Sequence, residues 1–232
     1  MRSEITGSTL PVLTITLEGG ETILAEPDRL SWMTANIGMH TTAATGGAGG
    51  LFGALGRAVA GGGLFMTEFT AERGEGFVAF AATVPGNIVQ TEVHDGRGYL
   101  IHRHGFLAGS HSLSLSIGVQ QSLGSGLFGG NGFILQKLSG SGTAFVELGG
   151  EIVSYDLEAG QELLVHPAHV GMFEEGVSFE ITTIRGVKNM LFGGDGLFLV
   201  RLRGPGKVWL QSLTPVKLAH ALRPYLPSGE HH

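Results

Sequence analysis

The sequence predicts an all-β fold in which three related copies of one pattern form a single domain. Three observations support this prediction: strand-like alternation of apolar residues, glycine-rich turns at matching places, and two modules that each recur three times in the same order. Glycine accounts for 40 of 232 residues and falls mostly between apolar runs. Turns of a β-protein often need positive φ, which glycine adopts without steric cost.

The first module is a hairpin. Residues 13–26, 89–102 and 153–166 align without gaps. Each segment begins with apolar residues at every second position, as in Leu13, Ile15 and Leu17, which is typical of a strand with one buried face. A glycine-containing turn and a short apolar run follow. Each copy is therefore predicted to contain two strands joined by a tight turn.

The second module opens with Leu-Phe at 51–52, 127–128 and 191–192. After a glycine, an apolar strand is predicted at 63–69, 132–138 and 196–202, and a Gly-x-Gly turn leads to another at 77–80, 144–148 and 208–213. No copy is large enough to bury its apolar face alone. We therefore expect three pseudo-equivalent β repeats about a pseudo-threefold axis, sharing one core in a sandwich-like or barrel-like arrangement.

One domain is predicted over residues 1–232, because no linker stands out inside the chain. The repeat segments run approximately over 10–36 with 191–213, over 51–110, and over 127–173 with flanking strands. A glycine-rich insert occupies 39–66, where the other copies have a much shorter bridge. A short amphipathic helix is predicted inside this insert, and 214–232 is predicted to be a short helix or a C-terminal tail.

Charge and composition exclude several kinds of site. The formal net charge is −6 and the basic residues are scattered, which disfavours nucleic-acid binding. The absence of cysteine excludes disulfides and thiolate metal sites. Only 15% of residues are charged, so part of the apolar surface is expected to be covered by self-association or a protein partner. With no secretory signal or spanning segment, we expect a cytoplasmic protein, with peripheral contact at a membrane surface left open.

The candidate metal ligands are Glu26, His102 and His166, which occupy equivalent positions in the three hairpins. A pseudo-threefold axis would bring two imidazoles and one carboxylate together, which is the ligand set of many non-haem iron sites. The alternative is that all three side chains lie at strand ends, facing water or capping turns. No cofactor is predicted, and no nucleophile elbow or complete phosphate-binding loop occurs.

The candidate partner contact lies in the glycine-rich insert. Leu51, Phe52, Leu55 and Val59 have the spacing of an apolar helix face. An exposed apolar patch of this kind marks a partner or membrane contact. The alternative is that the helix covers one end of the protein's own core.

The three copies, the insert and three short segments resemble the altered-inheritance-of-mitochondria family over nearly the whole chain. The segments are residues 63–71 (GLFMTEFTA), 84–88 (VPGNI) and 104–108 (HGFLA). The resemblance implies a β-sandwich fold similar to that of the tryptophan RNA-binding attenuator protein. It also implies no established activity for bacterial members and, through the mitochondrial member, a link to inner-membrane organisation. It supplies no catalytic residues.

Together these features predict a non-catalytic binding or scaffold protein, with a link to membrane or envelope organisation left open. Two alternatives stay open. The first is a metal-dependent enzyme that uses Glu26, His102 and His166, and the second is a binder of RNA or a small ligand by analogy of fold.

Overall fold

The computed structural model describes residues 1–44, 64–121, 133–183 and 198–226, and within these ranges the protein is almost entirely β. The strands of the first copy are β1 Arg2–Thr6, β2 Val12–Leu17, β3 Thr22–Ala25, β4 Trp32–Met33, β5 Ile37–Ala44, β6 Leu64–Ala71 and β7 Gly76–Ala81. The strands of the second copy are β8 Gly86–Val93, β9 Tyr99–His102, β10 Phe106–Ser110, β11 Leu113–Gln121, β12 Phe133–Gly140 and β13 Gly142–Gly149. The strands of the third copy are β14 Ile152–Leu157, β15 Glu162–Val165, β16 Val170–Glu174, β17 Ser178–Thr183, β18 Phe198–Arg203 and β19 Gly206–Gln211.

One α-helix is present in the described part of the chain. It is α1, Pro215–Leu222, and the Thr214 side chain caps it by accepting a hydrogen bond from the Lys217 backbone N–H. This helix lies where the sequence predicts either a short helix or a tail. Short 3-10 turns occur at Pro167–His169 and Arg223–Tyr225. The helix predicted in the glycine-rich insert falls outside the described residues.

The predicted strands and tight turns of the first module form, but the predicted hairpins do not. β2 and β3, β8 and β9, and β14 and β15 lie in different sheets and pair with other strands. Alternation and a turn glycine determine the strand and the turn, whereas the partner of each strand is set by packing over the whole chain. Gly20, Gly96 and Gly160 occupy the same place in the three turns and have φ values of 89°, 78° and 84°. A side chain at these positions would be strained in the left-handed region, which explains why glycine recurs there.

Strand pairing follows one order three times, with strand numbers rising by six. The two six-stranded sheets have the orders β5-β6-β3-β10-β13-β8 and β11-β12-β9-β16-β19-β14. Adding six once more gives β17-β18-β15 for the first three strands. The numbers of the other three would exceed 19, and when β2 is taken as the strand after β19 they become β4-β7-β2. These correspond to the three-stranded sheet and to three strands of the four-stranded sheet β1-β2-β7-β4. No described strand pair joins β15 to β4. The pseudo-threefold axis itself stays a prediction.

The core consists of three hydrophobic clusters, and each draws mainly on one copy. The first contains Leu13, Ile15, Phe69 and Phe80 and is completed by residues of the second copy such as Phe145. The other two clusters likewise include residues from a neighbouring copy. Each copy thus completes its core with side chains from the next, which is why the copies form one unit.

Candidate functional site

A cavity of about 520 Å³ lies where strands β3 and β9 end and where β13 and β19 reach the same end of the molecule. A smaller cavity of about 170 Å³ adjoins it and shares His102, Arg103, Gln211 and Pro215 with it. We call the two together the strand-end cleft. The polar groups in the larger part belong to Glu26, Asp28, Arg29, Thr83, His102, Arg103, His104, Glu147 and Gln211.

Two residues of the cleft have an uncommon backbone conformation. Asp28 and His104 have φ values of 65° and 63° and are the non-glycine residues with positive φ in the described part of the chain. They occupy equivalent places, two residues after Glu26 and His102. Non-glycine residues in the left-handed region cost free energy and cluster at functional sites, so this pair of turns marks the cleft as a candidate site.

Arg29 holds the wall of the cleft together. Its guanidinium donates hydrogen bonds to Glu147 Oε2 at 2.8 Å, to Thr83 Oγ1 at 2.7 Å and to the His104 carbonyl oxygen. The side chains of Arg29 and Glu147 are only 11% and 5% exposed. The pair thus lies in a low-dielectric environment, where charge-assisted hydrogen bonds are strong and an unpaired charge is costly.

Glu147 is the principal acceptor of this wall. Besides Arg29, its carboxylate accepts hydrogen bonds from the Thr83 backbone N–H at 2.6 Å, from the Thr83 hydroxyl and from the Val84 backbone N–H at 3.2 Å. It thereby binds the loop after β7 to strand β13. Gln211, at the equivalent place in the third copy, accepts from the Gly149 backbone N–H at 3.0 Å.

Glu26 lies on the other side of Arg29, with 3.6 Å between the Arg29 Nε and the Glu26 Oε2. The Gln136 amide donates to its Oε1 at 2.5 Å, and the His104 Nδ1 lies 3.8 Å from its Oε2. Burial by itself raises the pKa of Glu26, but hydrogen bonds from His104 and Gln136 and the charge of Arg29 outweigh burial, so the pKa is lowered. Glu26 is therefore ionised at neutral pH and is paired on both oxygens.

His102 is partly buried against the same wall. Its Nε2 lies 2.9 Å from the Glu147 carbonyl oxygen, a hydrogen bond that only the protonated nitrogen can donate. Burial lowers the pKa of His102, and its hydrogen bonds to the backbone oppose this effect without cancelling it. His102 is a neutral structural donor in this position.

His166 has a separate role at the start of the 3-10 turn. Its Nδ1 accepts a hydrogen bond from the Ala168 backbone N–H at 3.3 Å, so the imidazole caps that turn. Burial lowers its pKa, with smaller contributions in the same direction from His169 and Lys217.

The three predicted metal ligands are therefore engaged separately. Glu26 and His102 line the larger cavity, and His166 lies beside the residues that line the smaller one. In the ranges that the structure covers, no group of three or more His, Cys, Asp or Glu side chains could hold a metal ion. The structure thus does not bring Glu26, His102 and His166 together as one ligand set. His166 caps a turn, as in the alternative, whereas Glu26 and His102 form hydrogen bonds within the wall of the cleft.

Arg103 is the free cation of the cleft. It is exposed, lines both cavities, and has no side-chain hydrogen bond or ion pair to any residue that the structure describes. Its guanidinium offers five N–H donors in a planar fork, a geometry suited to carboxylate and phosphate groups. Asp28 is a second exposed charged group at this site, and the His104 side chain is 67% exposed.

Inspection of the sequence missed Arg29 and Glu147. Glu147 did leave a signal, because it interrupts an apolar run that is otherwise typical of a fully buried strand, Ala144–Leu148. A charge at a core position predicts a buried partner, yet the partner Arg29 is 118 residues away and cannot be identified from one sequence.

The candidate partner residues Leu51, Phe52, Leu55 and Val59 lie outside the described residues. Among the helices that the structure does describe, none is long and apolar enough to cross a membrane.

Comparison with known proteins places the chain in a family. The family model for mitochondrial biogenesis AIM24 matches residues 3–213. An uncharacterized protein of Streptococcus pyogenes serotype M6 is 29% identical over 223 residues, covering 94% of this chain and 88% of that protein. The X-ray crystal structure of another Streptococcus pyogenes protein superposes with a TM-score of 0.75 at 27% identity, covering 97% of this chain and 99% of that one. The chain therefore belongs to the mitochondrial biogenesis AIM24 family.

Proposed function

We propose that this chain is a non-catalytic binding protein, a rigid β scaffold that recognises a small anionic ligand in the strand-end cleft. The observation that carries the proposal is the exposed guanidinium of Arg103, which lines both cavities without a partner among the described side chains. Concave sites with a few convergent polar groups are the usual binding sites of small ligands.

The pairing of the neighbouring charges leaves Arg103 as the group that can bind an anion. Arg29 lies between Glu26 and Glu147 and offsets one of their two negative charges, so these three largely buried groups form a fixed wall and are not free binding groups. Arg103 then remains to bind an anion, and the exposed carboxylate of Asp28 accepts a hydrogen bond from the same ligand. A compound that carries both an anionic group and an N–H or O–H donor fits this pair of groups.

The hydrogen bonds of Thr83 and Glu147 support a binding function and not a catalytic one. The Thr83 hydroxyl already donates to Glu147, whose carboxylate also accepts hydrogen bonds from Arg29 and two backbone N–H groups. Activation of a hydroxyl nucleophile needs a base that is free to take its proton. Glu147 instead serves to fix the loop after β7.

Calorimetric titration with inorganic phosphate, citrate and phosphoserine tests the proposal. We expect at least one of these probes to bind, and Arg103→Ala to weaken binding about 10-fold or more, as removal of a charged hydrogen-bonding group does. Arg73→Ala is the matched control, because Arg73 is an equally exposed arginine in the turn before β7, away from the cleft. Equal weakening by both substitutions, or binding of none of the three probes, contradicts the proposal.

A further inference from the structure

The last strand of the second six-stranded sheet is an open edge. In the part of the chain that the structure describes, β14 pairs with β19 on one side and with no strand on the other. All six of its residues pair with β19, from Ile152 opposite Gln211 to Leu157 opposite Gly206. One row of backbone N–H and C=O groups therefore remains available to another strand.

The molecule itself shows how this kind of edge is covered. Strand β2 occupies the equivalent place in the first copy, where it pairs with β7 as β14 does with β19. Its outer side is covered by β1, which runs antiparallel from Arg2 opposite Thr16 to Thr6 opposite Val12. The edge geometry of this fold thus accepts an antiparallel strand.

Side-chain exposure also differs. Leu13 and Ile15 pack in the first core cluster and are 0% exposed, whereas Val153 and Tyr155 at the equivalent places of β14 are 47% and 45% exposed. Exposed edges usually carry lysine, proline or a bulge that discourages pairing. β14 has none of these, and Asp156 is its only charged residue. An apolar pair on an unprotected edge indicates a strand partner.

The third equivalent strand provides a contrast. β8 pairs only with β13 among the described strands, so it is also an edge. Its exposed side chains are polar, Gln90 and Glu92, and Thr91 stands where β14 has Tyr155. Of the strands β8 and β14, β14 is the one that presents exposed apolar side chains.

We propose that β14 pairs antiparallel with β14 of a second copy of this chain, across a two-fold axis at Ser154. In this register Val153 faces Tyr155 of the second copy, and the reciprocal pair forms on the other side of the axis. Asp156 faces Ile152 of the second copy, so no like charges are opposed. Such aromatic and β-branched cross-strand pairs stabilise antiparallel sheets, and a self-complementary patch is what a two-fold interface requires.

A second copy is the occupant because its own β14 has the same unfilled edge, whereas its β1 is already paired to β2.

A single cysteine tests both the contact and its register, since the natural chain contains none. In Ser154→Cys the two thiols face each other across the axis. We expect mild oxidation or a short bis-maleimide reagent to convert this variant to a covalent dimer. Gln90→Cys, at the equivalent position of β8, is the matched control and is expected to form no covalent dimer. Absence of the covalent dimer in Ser154→Cys, or equal dimer yield in Gln90→Cys, overturns the proposal.

Analytical ultracentrifugation over a concentration series gives an independent readout. The natural chain is expected to dimerise reversibly, and Val153→Lys with Tyr155→Lys to raise the dissociation constant about 10-fold or more, because lysine on an edge discourages pairing. The same pair of lysines at Val89 and Thr91 of β8 should leave the dissociation constant unchanged. Circular dichroism verifies that each variant is folded. A monomeric natural chain at every concentration, or identical dimerisation of the β14 variant, contradicts the proposal. Neither result depends on ligand binding at Arg103.

Discussion

At the scale of residues, the cleft wall depends on one cation placed between two buried carboxylates. Arg29 reaches Glu147 directly and Glu26 at a longer distance, and both carboxylates also accept hydrogen bonds from neutral donors. Desolvated ion pairs contribute little net stability when intact, but they are costly to break from one side. Because of this asymmetry, we expect the loss of Arg29 to lower the free energy of unfolding most.

We expect Arg29→Ala to lower the free energy of unfolding by about 3 kcal/mol, because it leaves Glu26 and Glu147 buried without a counter-charge. Urea denaturation monitored by fluorescence measures the change. Lys137→Ala, which removes the exposed ion pair with Glu175, is the control and should cost about 1 kcal/mol or less. Equal effects of the two substitutions would show that the Arg29 pairs are not buried in solution.

His102 predicts a pH dependence of stability. Its pKa is lowered by burial in the folded protein, so the unfolded chain binds more protons at this group as the pH falls below the ordinary histidine value of about 6.5. The contribution of His102 to stability is thus full above that pH and decreases as the pH falls toward the lowered, folded-state pKa. We expect the thermal midpoint to fall as the pH is lowered below about 6.5, and His102→Gln to flatten this slope. An unchanged slope in the variant would assign the pH dependence to other groups.

At the scale of elements, the three equivalent strands β2, β8 and β14 differ in what lies along their outer side. β2 is covered by β1, β8 carries polar side chains, and β14 exposes Val153 and Tyr155. β1 was not predicted from the sequence, because Ile5 is the single apolar residue among its five and no alternation is visible. In the structure all five residues are exposed. Its position is set by pairing with β2 and not by burial of its own side chains.

Deletion of residues 1–6 tests the covering role of β1. We expect the free energy of unfolding to fall by about 2–3 kcal/mol, since Leu13 and Ile15 would become partly exposed to water. Urea midpoints of the truncated and full chains give the comparison. Arg2→Ala, which removes only the exposed ion pair with Glu75, controls for the loss of charge and should change stability little. If the truncated chain is as stable as the full chain, β1 does not protect this face.

At the scale of the whole molecule, the sheets continue across two of the three junctions between copies. β3 pairs with β10, and β9 pairs with β16, so the first copy is hydrogen-bonded to the second and the second to the third. The corresponding strands β15 and β4 have no described pairing with each other. The third junction therefore lacks the strand pairing that closes the other two.

Amide hydrogen exchange should reveal this difference. Strands β10 and β16, paired on both sides, are expected to exchange slowly, whereas β4 and β15, paired on one side only, exchange about 10-fold faster or more. Mass spectrometry of peptides covering residues 30–35 and 160–166 against 106–110 and 170–174 measures the contrast. Equal protection in all four strands would mean that the third junction is closed in solution.

The sequence was sufficient for the repeated elements and insufficient for the contacts between distant residues. Alternation and turn glycines predicted the strands and the turns because both are local: Leu13, Ile15 and Leu17 alternate within one strand, and Gly20 sets one turn. The expected hairpin pairing was wrong, because the partner of a strand is not a local property of the sequence. The cleft could not be assembled in the same way. Glu26 and His102 were identified by their position in the repeat. The partner of Glu26, Gln136, lies on another copy, and the Glu147 carbonyl that accepts from His102 lies on β13, in a different sheet from β9. Such contacts depend on how the sheets and copies pack.

The repeat of the strand order every six strands bears on where the polypeptide chain could begin. Because each set of strands is succeeded by an equivalent set, the starting point of the polypeptide is not fixed by the sheet order. A circular permutant that begins at β8, finishes after β7 and joins the original termini through a sufficiently long linker would retain every strand pair of both large sheets.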